Sequence, residues 1–292
     1  MSSGPYYILA FYSTLIVGAS LLGGWLPSLI RMTHTRTQLA MSFVAGLMLG
    51  VALFHLLPHG IAEIGGAHAV EIALWWVMAG LVLMLLLLRS FHFHQHDFSS
   101  DEEAHHDHDH GSGHHHEPAA NNTVRSISWL GMAIGLGLHT LIDGIALGAS
   151  IKAEALAEPG TTLVGLGVLL AILLHKPLDA MSITTLMKAD GWSKGAQTRA
   201  NLMFSLLCPL GALLFFWGVA QLGDTRELVI GSALAFSAGV FLCIALSDLL
   251  PEVHFHSHDK GKLTLAFLLG IGLAFALGGL EPDAVHALEI LP

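Results

Sequence analysis

Two segments of the 292-residue chain place a histidine four residues before an aspartate within an apolar run. They read Gly137-Leu138-His139-Thr140-Leu141-Ile142-Asp143-Gly144 and Leu173-Leu174-His175-Lys176-Pro177-Leu178-Asp179-Ala180. On a helix, that spacing puts both side chains on one face, about 6 Å apart along the axis. An ionisable group inside lipid costs about 2.5–3.5 kcal/mol on insertion scales, so such groups point to function. Two imidazoles and two carboxylates brought to one point suit a divalent first-row metal, and a tetrahedral nitrogen–oxygen set suits zinc best. His139, Asp143, His175 and Asp179 are therefore the candidate metal ligands. A lone buried histidine is more often a satisfied core group, but two matched pairs at equal depth are not easily explained that way.

Two neighbours modulate this site. Lys176 needs a counter-charge at mid-depth, and Asp143 and Asp179 are the available acids. An ammonium repels a second cation, so a single-metal site is expected. Thr140 reads as a helix–helix hydrogen bond rather than a ligand. The glycines at 131, 135, 144 and 148 read as close-packing positions. Cys208, ahead of Pro209, reads as packing, with a soft ligand as the alternative.

The elements that must hold these residues follow from composition. Hydrophobic residues make up 53% of the chain and charged ones 12%, against about 25% charged in soluble domains. Mean hydropathy is +0.66. An ordinary soluble enzyme is excluded, and a net charge of −10 does not suit nucleic acid. Eight apolar runs are long enough to cross a bilayer: 6–30, 39–60, 70–88, 127–150, 162–187, 200–222, 228–252 and 263–280. Lipid leaves no backbone group unpaired, so the runs are helices and the fold is an all-α integral membrane protein.

Alternate loops carry nine of the twelve cations, and the opposite side carries Lys152 and Arg226. The cation-rich loops are thus cytoplasmic and both termini lie outside. The first run has no positive flank and reads as a span rather than a cleaved signal.

Residues 43–60 (FVAGLMLGVALFHLLPHG) and 236–253 (FSAGVFLCIALSDLLPEV) match at nine of eighteen positions without gaps. Their spans run in opposite directions, and inverted repeats are a transporter architecture with the substrate near the midplane. The expected arrangement is 3+2+3, with helices 1–3 (1–91) and 6–8 (196–292) around helices 4–5 (125–195). The segment 92–124 carries ten of the twenty histidines and seven acids, and is expected to be a disordered cytoplasmic loop. Its His105, His106, His108, His110, His114, His115 and His116 are candidate weak metal binders, with a solvated linker as the alternative.

The repeat also pairs His55 with Asp248 and His59 with Glu252. His55 and His59 are candidates for an outer mouth. Asp248, Glu252, His254, His256 and His258 are candidates for an inner one. Ordinary interfacial polarity is the alternative at both ends. Pro58 and Pro251 should kink or end their helices.

These residues resemble the ZIP (Zrt- and Irt-like) family of metal-ion transporters over nearly the whole chain. The family's helix 4 reads roughly H-N-x-x-D/E-G, matched here by His139-Thr140-Leu141-Ile142-Asp143-Gly144. Its helix 5 often reads H-E-x-P-H-E, where this chain has His175-Lys176-Pro177-Leu178-Asp179-Ala180. A branch of the family with H-K in helix 5 is similar. The resemblance implies that His139, Asp143, His175 and Asp179 form the family's first metal site. Thr140 and Lys176 replace residues of its second. It further implies import of zinc into the cytoplasm by an elevator-like movement, with iron, manganese or cadmium as further candidate substrates.

Zinc is then cargo, and no organic cofactor is expected. Divalent ions, the lipid bilayer and a second copy of the chain are the candidate partners, in a cell (inner or plasma) membrane. A cation diffusion facilitator, exporting metal, would have six spans and a cytoplasmic C-terminal domain. An intramembrane metalloprotease needs H-E-x-x-H with glutamate as base, and helix 5 offers a lysine there. A membrane hydrolase with scattered histidine ligands is the remaining enzyme alternative.

A first prediction concerns the loop. Deleting residues 104–117 removes no span and no midplane ligand, so zinc flux in proteoliposomes should persist with a changed apparent affinity at most. Complete loss of flux in a folded deletion protein would mean that an essential ligand lies in the loop.

Overall fold

The computed structural model describes residues 4–29, 34–91, 121–157, 164–255 and 260–279. These form helices and turns with no strand, and eight of the helices are long and apolar enough to cross a membrane. They are α1 (Gly4–Leu29), α2, α3 (Ala69–Phe91), α4 (Asn121–Ala157), α5 (Leu166–Ala189), α6 (Lys194–Val219), α7 (Arg226–Phe255) and α8 (Lys260–Gly278). The span α2 has three parts: an α-helix over His34–Val51, a π-turn over Ala52–Leu56 and an α-helix over Leu57–Ile64. Residues 92–120, including the seven loop histidines named above, lie outside the described residues, as do His256 and His258.

Three boundaries differ from the sequence expectation. The helix α4 starts at Asn121 rather than 127, so residues 121–124 belong to it and not to the loop. Its 37 residues reach about 55 Å at 1.5 Å each, well beyond a 30 Å hydrocarbon core. The start of α5 falls at Leu166 rather than 162, because Gly165 takes a left-handed φ of 71° that no helix continues through. Neither Pro58 nor Pro251 ends its helix. Pro58 brings no N–H to the ladder, and one turn earlier the helix widens, so that the Leu57 N–H reaches back five residues to the Ala52 carbonyl.

At its other end α5 closes with Gly191 at φ 79° and the Trp192 N–H on the Met187 carbonyl. Ser193 then caps α6 by accepting from the Ala196 N–H at 3.3 Å. This short turn makes α5 and α6 antiparallel neighbours.

The helices pack chiefly in pairs: α2 on α8, α3 on α7, α1 on α5 and α4 on α6. Glycines set how closely they approach. A Cβ at Gly46 would collide with the Phe267 carbonyl of α8, and one at Gly270 with the Phe43 carbonyl of α2. A Cβ at Gly239 would collide with the Val77 carbonyl of α3, and one at Gly80 with the Phe236 carbonyl of α7. Gly46 and Gly239 hold the same place in the two repeat segments, as do Phe43 and Phe236. In lipid there is little hydrophobic force between helices, so such close backbone approach supplies much of the attraction.

Burial follows the same logic. The span of α4 has 78% of its most apolar window inside the protein, against 17% for α3 and 22% for α8. The most enclosed helix is the one that carries His139 and Asp143. Trp75, Trp76, Leu85 and Leu86 of α3 face outward, as lipid contact requires.

Gly239→Ala should lower the thermal unfolding midpoint in detergent, because the methyl forces α7 off α3. Gly272→Ala, where the Cβ meets open space, should be neutral or raise it, since alanine gains roughly 0.5–1 kcal/mol over glycine in a helix. Equal shifts for the two would show that the crossing does not depend on the missing side chain.

Candidate metal centre

The two His-x-x-x-Asp helices are held in register at one end by a buried carboxylate. Glu154 of α4 accepts from the Ser150 hydroxyl at 2.9 Å and from the Gly165 N–H, at the start of α5, at 2.7 Å. From Asp143 to Glu154 is eleven residues, and from Gly165 to His175 is ten. Both helices thus run about 15–17 Å inward from the same anchor before presenting their ligands. The register of the site follows from these nearly equal lengths.

At that depth the four residues meet. His139, Asp143, His175 and Asp179 each offer a ligand atom, and these atoms all lie within 4.8 Å of one another. His175 Nε2 is 3.2 Å from Asp143 Oδ2 and 3.8 Å from Asp179 Oδ2. His139 Nδ1 is 3.5 Å from Asp143 Oδ1, and its Nε2 is 3.9 Å from Asp179 Oδ2. A tetrahedral zinc with bonds near 2.0–2.1 Å sets its ligands about 3.3 Å apart. The closest pair already stands at that separation, and the widest, up to 4.8 Å apart, must close by about 1.5 Å.

The donor chemistry fits as well. His175 Nδ1 donates to the Ala171 carbonyl at 2.6 Å, which turns the Nε2 lone pair towards the carboxylates. His139 Nδ1, Asp143 Oδ1 and Asp179 Oδ2 are buried without a hydrogen-bond partner among the described residues. Polar atoms left so in lipid are costly unless something occupies the space between them.

Lys176 completes the centre. Its side chain is fully buried, and its ammonium donates to Thr140 Oγ1 at 2.7 Å and to Asp143 Oδ2 at 3.0 Å. It lies 3.6 Å from Asp179 Oδ2 and 4.9 Å from the centre of the Phe204 ring of α6. Thr140 in turn donates to the Leu136 carbonyl at 2.7 Å, so it links α4 to α5 through the lysine. Pro177 lies inside α5 directly after Lys176, and Gly23 of α1 packs on its backbone where a Cβ would collide. Phe241 of α7 closes the site edge-on against the His175 ring, 6.2 Å between centres.

The other residues singled out from sequence lie elsewhere. His55 sits in the π-turn with Nε2 2.7 Å from the Ala274 carbonyl of α8. His59 is one turn on, near Glu63. Both are buried and neither joins the four-residue cluster. Cys208 is buried in the core, with its carbonyl against Gly144. Asp248, Glu252 and His254 lie on α7, but their side chains fall outside the described residues.

Sequence reasoning missed Glu154, Phe204 and Phe241. Glu154 had a signal: eleven residues is about three turns, which returns it to the face of Asp143. The aromatic neighbours had none, because their approach depends on helix packing.

Comparison with known proteins supplies the context. The sequence model of the ZIP zinc transporter family matches residues 89–278, more than half of the chain. Zinc transporter ZIP9 of Micropogonias undulatus is 35% identical over 138 residues, 44% of this chain and 42% of that protein. Zinc transporter ZIP9-B of Xenopus laevis is 34% identical over 137 residues, 44% of this chain and 43% of that protein. Zinc transporter foi of Drosophila melanogaster is 31% identical over 176 residues, 59% of this chain and 23% of that protein. The chain thus spans less than half the length of these curated relatives. The match includes both His-x-x-x-Asp helices and the α6 and α7 spans that pack on them, and this chain belongs to the ZIP family of zinc transporters.

Proposed function

We propose that the chain carries zinc across a membrane into the cytoplasm, binding it at mid-depth through His139, Asp143, His175 and Asp179. The observation that carries this reading is the convergence of four buried ligand atoms within 4.8 Å on two adjacent spans. Two carboxylates neutralise a divalent ion, and two imidazoles complete a tetrahedral set. Iron, manganese and cadmium are further candidate substrates, because carboxylate and imidazole ligands accept all of them to some degree.

The cation-rich loops lie on the cytoplasmic side in this reading, and both termini lie outside. His55 and His59 belong to the outer approach, and Asp248, Glu252, His254, His256 and His258 to the inner one. The histidines at 105, 106, 108, 110 and 114–116 bind metal weakly on the cytoplasmic side.

The movement is an elevator-like displacement of one bundle against another in a 3+2+3 inverted repeat. Packing supports this. Exchanging α1 with α6, α2 with α7, α3 with α8 and α4 with α5 turns the α2–α8 pair into α7–α3 and the α1–α5 pair into α6–α4. The glycine contacts obey the same exchange: Gly23 meets Pro177 and Gly211 meets Leu141, each two residues beyond a site histidine. One bundle would be α1, α4, α5 and α6, and the other α2, α3, α7 and α8.

Zinc flux into proteoliposomes tests the transport reading. Asp143→Ala and Asp179→Ala should each lower flux by more than tenfold while the protein stays folded in the membrane. Removing one carboxylate leaves the buried ion uncompensated, at roughly 3–5 kcal/mol. Flux at the wild-type rate in either variant would refute the site.

Lys176 is proposed to stand where a second metal ion would sit. It offsets one of the two buried carboxylates when zinc is absent, which lets the empty carrier return. Lys176→Glu should raise bound zinc from one towards two per chain, and Lys176→Ala should keep one zinc but slow steady turnover. Two zinc ions at mid-depth in the unaltered protein, or unchanged turnover in Lys176→Ala, would contradict this role.

A further inference from the structure

Lys152 sits two residues beyond Ser150 on α4, away from the metal centre. Its ammonium lies 3.9 Å from the centre of the Phe216 ring of α6 and 5.8 Å from that of Tyr6 of α1. The two rings meet edge to face at 5.1 Å. Both line an apolar groove of about 290 Å³ on the lipid-facing surface between α1 and α6, together with Leu210, Leu213, Leu214 and Trp217.

Two features of this place are not explained by packing alone. Among the described residues Lys152 contacts rings and not a carboxylate, and the neighbouring charge it feels is another cation, Arg226. The Nε of Arg226 is itself buried without a hydrogen-bond partner among the described residues. Arg226 has Glu63 near it, so Lys152 is the cation here with no acid beside it among the described residues, and it lies at a definite depth. The apolar span of α4 ends at Ala155, that of α1 begins at Gly4 and that of α6 ends at Val219, all within three residues of Lys152, Tyr6 and Phe216. This is the level of the membrane boundary, where lipid phosphates lie. Leu210, Leu213 and Leu214 are up to two turns deeper, at acyl-chain level.

We propose that Lys152 and this groove form a phospholipid site, with one acyl chain lying along α1 and α6 and the headgroup phosphate on the Lys152 ammonium. Two rings that line the groove also hold the ammonium by cation–π attraction, which fixes where the phosphate binds. On the orientation proposed above, the lipid belongs to the outer leaflet. The site is separate from zinc binding, and the acyl chain lies between α1 and α6.

The test is native mass spectrometry of the purified full chain, loaded in turn with phosphatidylglycerol, phosphatidylcholine and dioleoylglycerol, which lacks phosphate. The unaltered protein should retain one phospholipid per chain in preference to dioleoylglycerol by about fivefold, the factor one interfacial cation supplies. Lys152→Ala should abolish that preference and Lys152→Arg should restore it. Leu213→Trp, on an exposed lining position, should reduce retention of both lipid classes. Bound zinc per chain, unchanged in all three variants, serves as the check on folding. Equal retention of dioleoylglycerol and phospholipid, unchanged preference in Lys152→Ala, or a second copy of the chain cross-linking through Leu213→Cys would each overturn the proposal.

Discussion

Two carboxylates in a medium of low dielectric need positive charge within a few ångströms, and Asp143 and Asp179 obtain it from the Lys176 ammonium. The site's chemistry depends on this balance. With both imidazoles neutral, one ammonium against two carboxylates leaves a net negative centre, a charge that suits a divalent cation. With the ion present, the charge turns positive by one unit, so the lysine and the ion compete for the same oxygens. Asp143 Oδ2 makes the competition visible, since it lies 3.0 Å from the lysine and 3.2 Å from His175 Nε2. On the proposed reading, that competition keeps binding reversible and limits the site to one metal.

Such a balance works only if the groups cannot drift apart. The Glu154 link between α4 and the start of α5 fixes their register. Gly144 and Gly211 let α4 lie directly on the backbone of α6, and Gly23 does the same for α1 on Pro177. Close packing here has an electrostatic consequence: with α4 lying on α6, the fully buried lysine sits 4.9 Å from the Phe204 ring. The cost of a buried charge is thereby raised and the hold of its counter-charge strengthened.

Much of this was legible in the sequence because its signals are local. The spans follow from runs of apolar residues, and the four ligands follow from i,i+4 spacing on two runs joined by a short loop. The family resemblance rested on the same residues. Lys176 was readable as a counter-charge because its spacing to Asp179 is three residues. What was not legible depends on packing between helices or on local backbone geometry. The π-turn at Ala52–Leu56 arises from how the chain accommodates Pro58, and proline alone predicted a kink or an end. The choice of Asp143 over Asp179 as the nearer partner of Lys176 depends on the α4–α5 distance. His55 gave no sign that it would be tied to the Ala274 carbonyl, 219 residues away.

The central claim is that one metal is held at mid-depth by two imidazole nitrogens and two carboxylate oxygens, with Lys176 in place of a second ion. X-ray absorption at the zinc edge on the purified, zinc-loaded chain lacking residues 104–117 tests it most directly. The expected spectrum has four nitrogen or oxygen neighbours at about 2.0–2.1 Å, with imidazole outer-shell scattering from two rings. It has no sulfur near 2.3 Å and no zinc–zinc vector at about 3.5–4 Å. A sulfur shell would bring Cys208 or Cys243 into the site, and a zinc–zinc vector would place a second metal where the lysine is; either would contradict the claim.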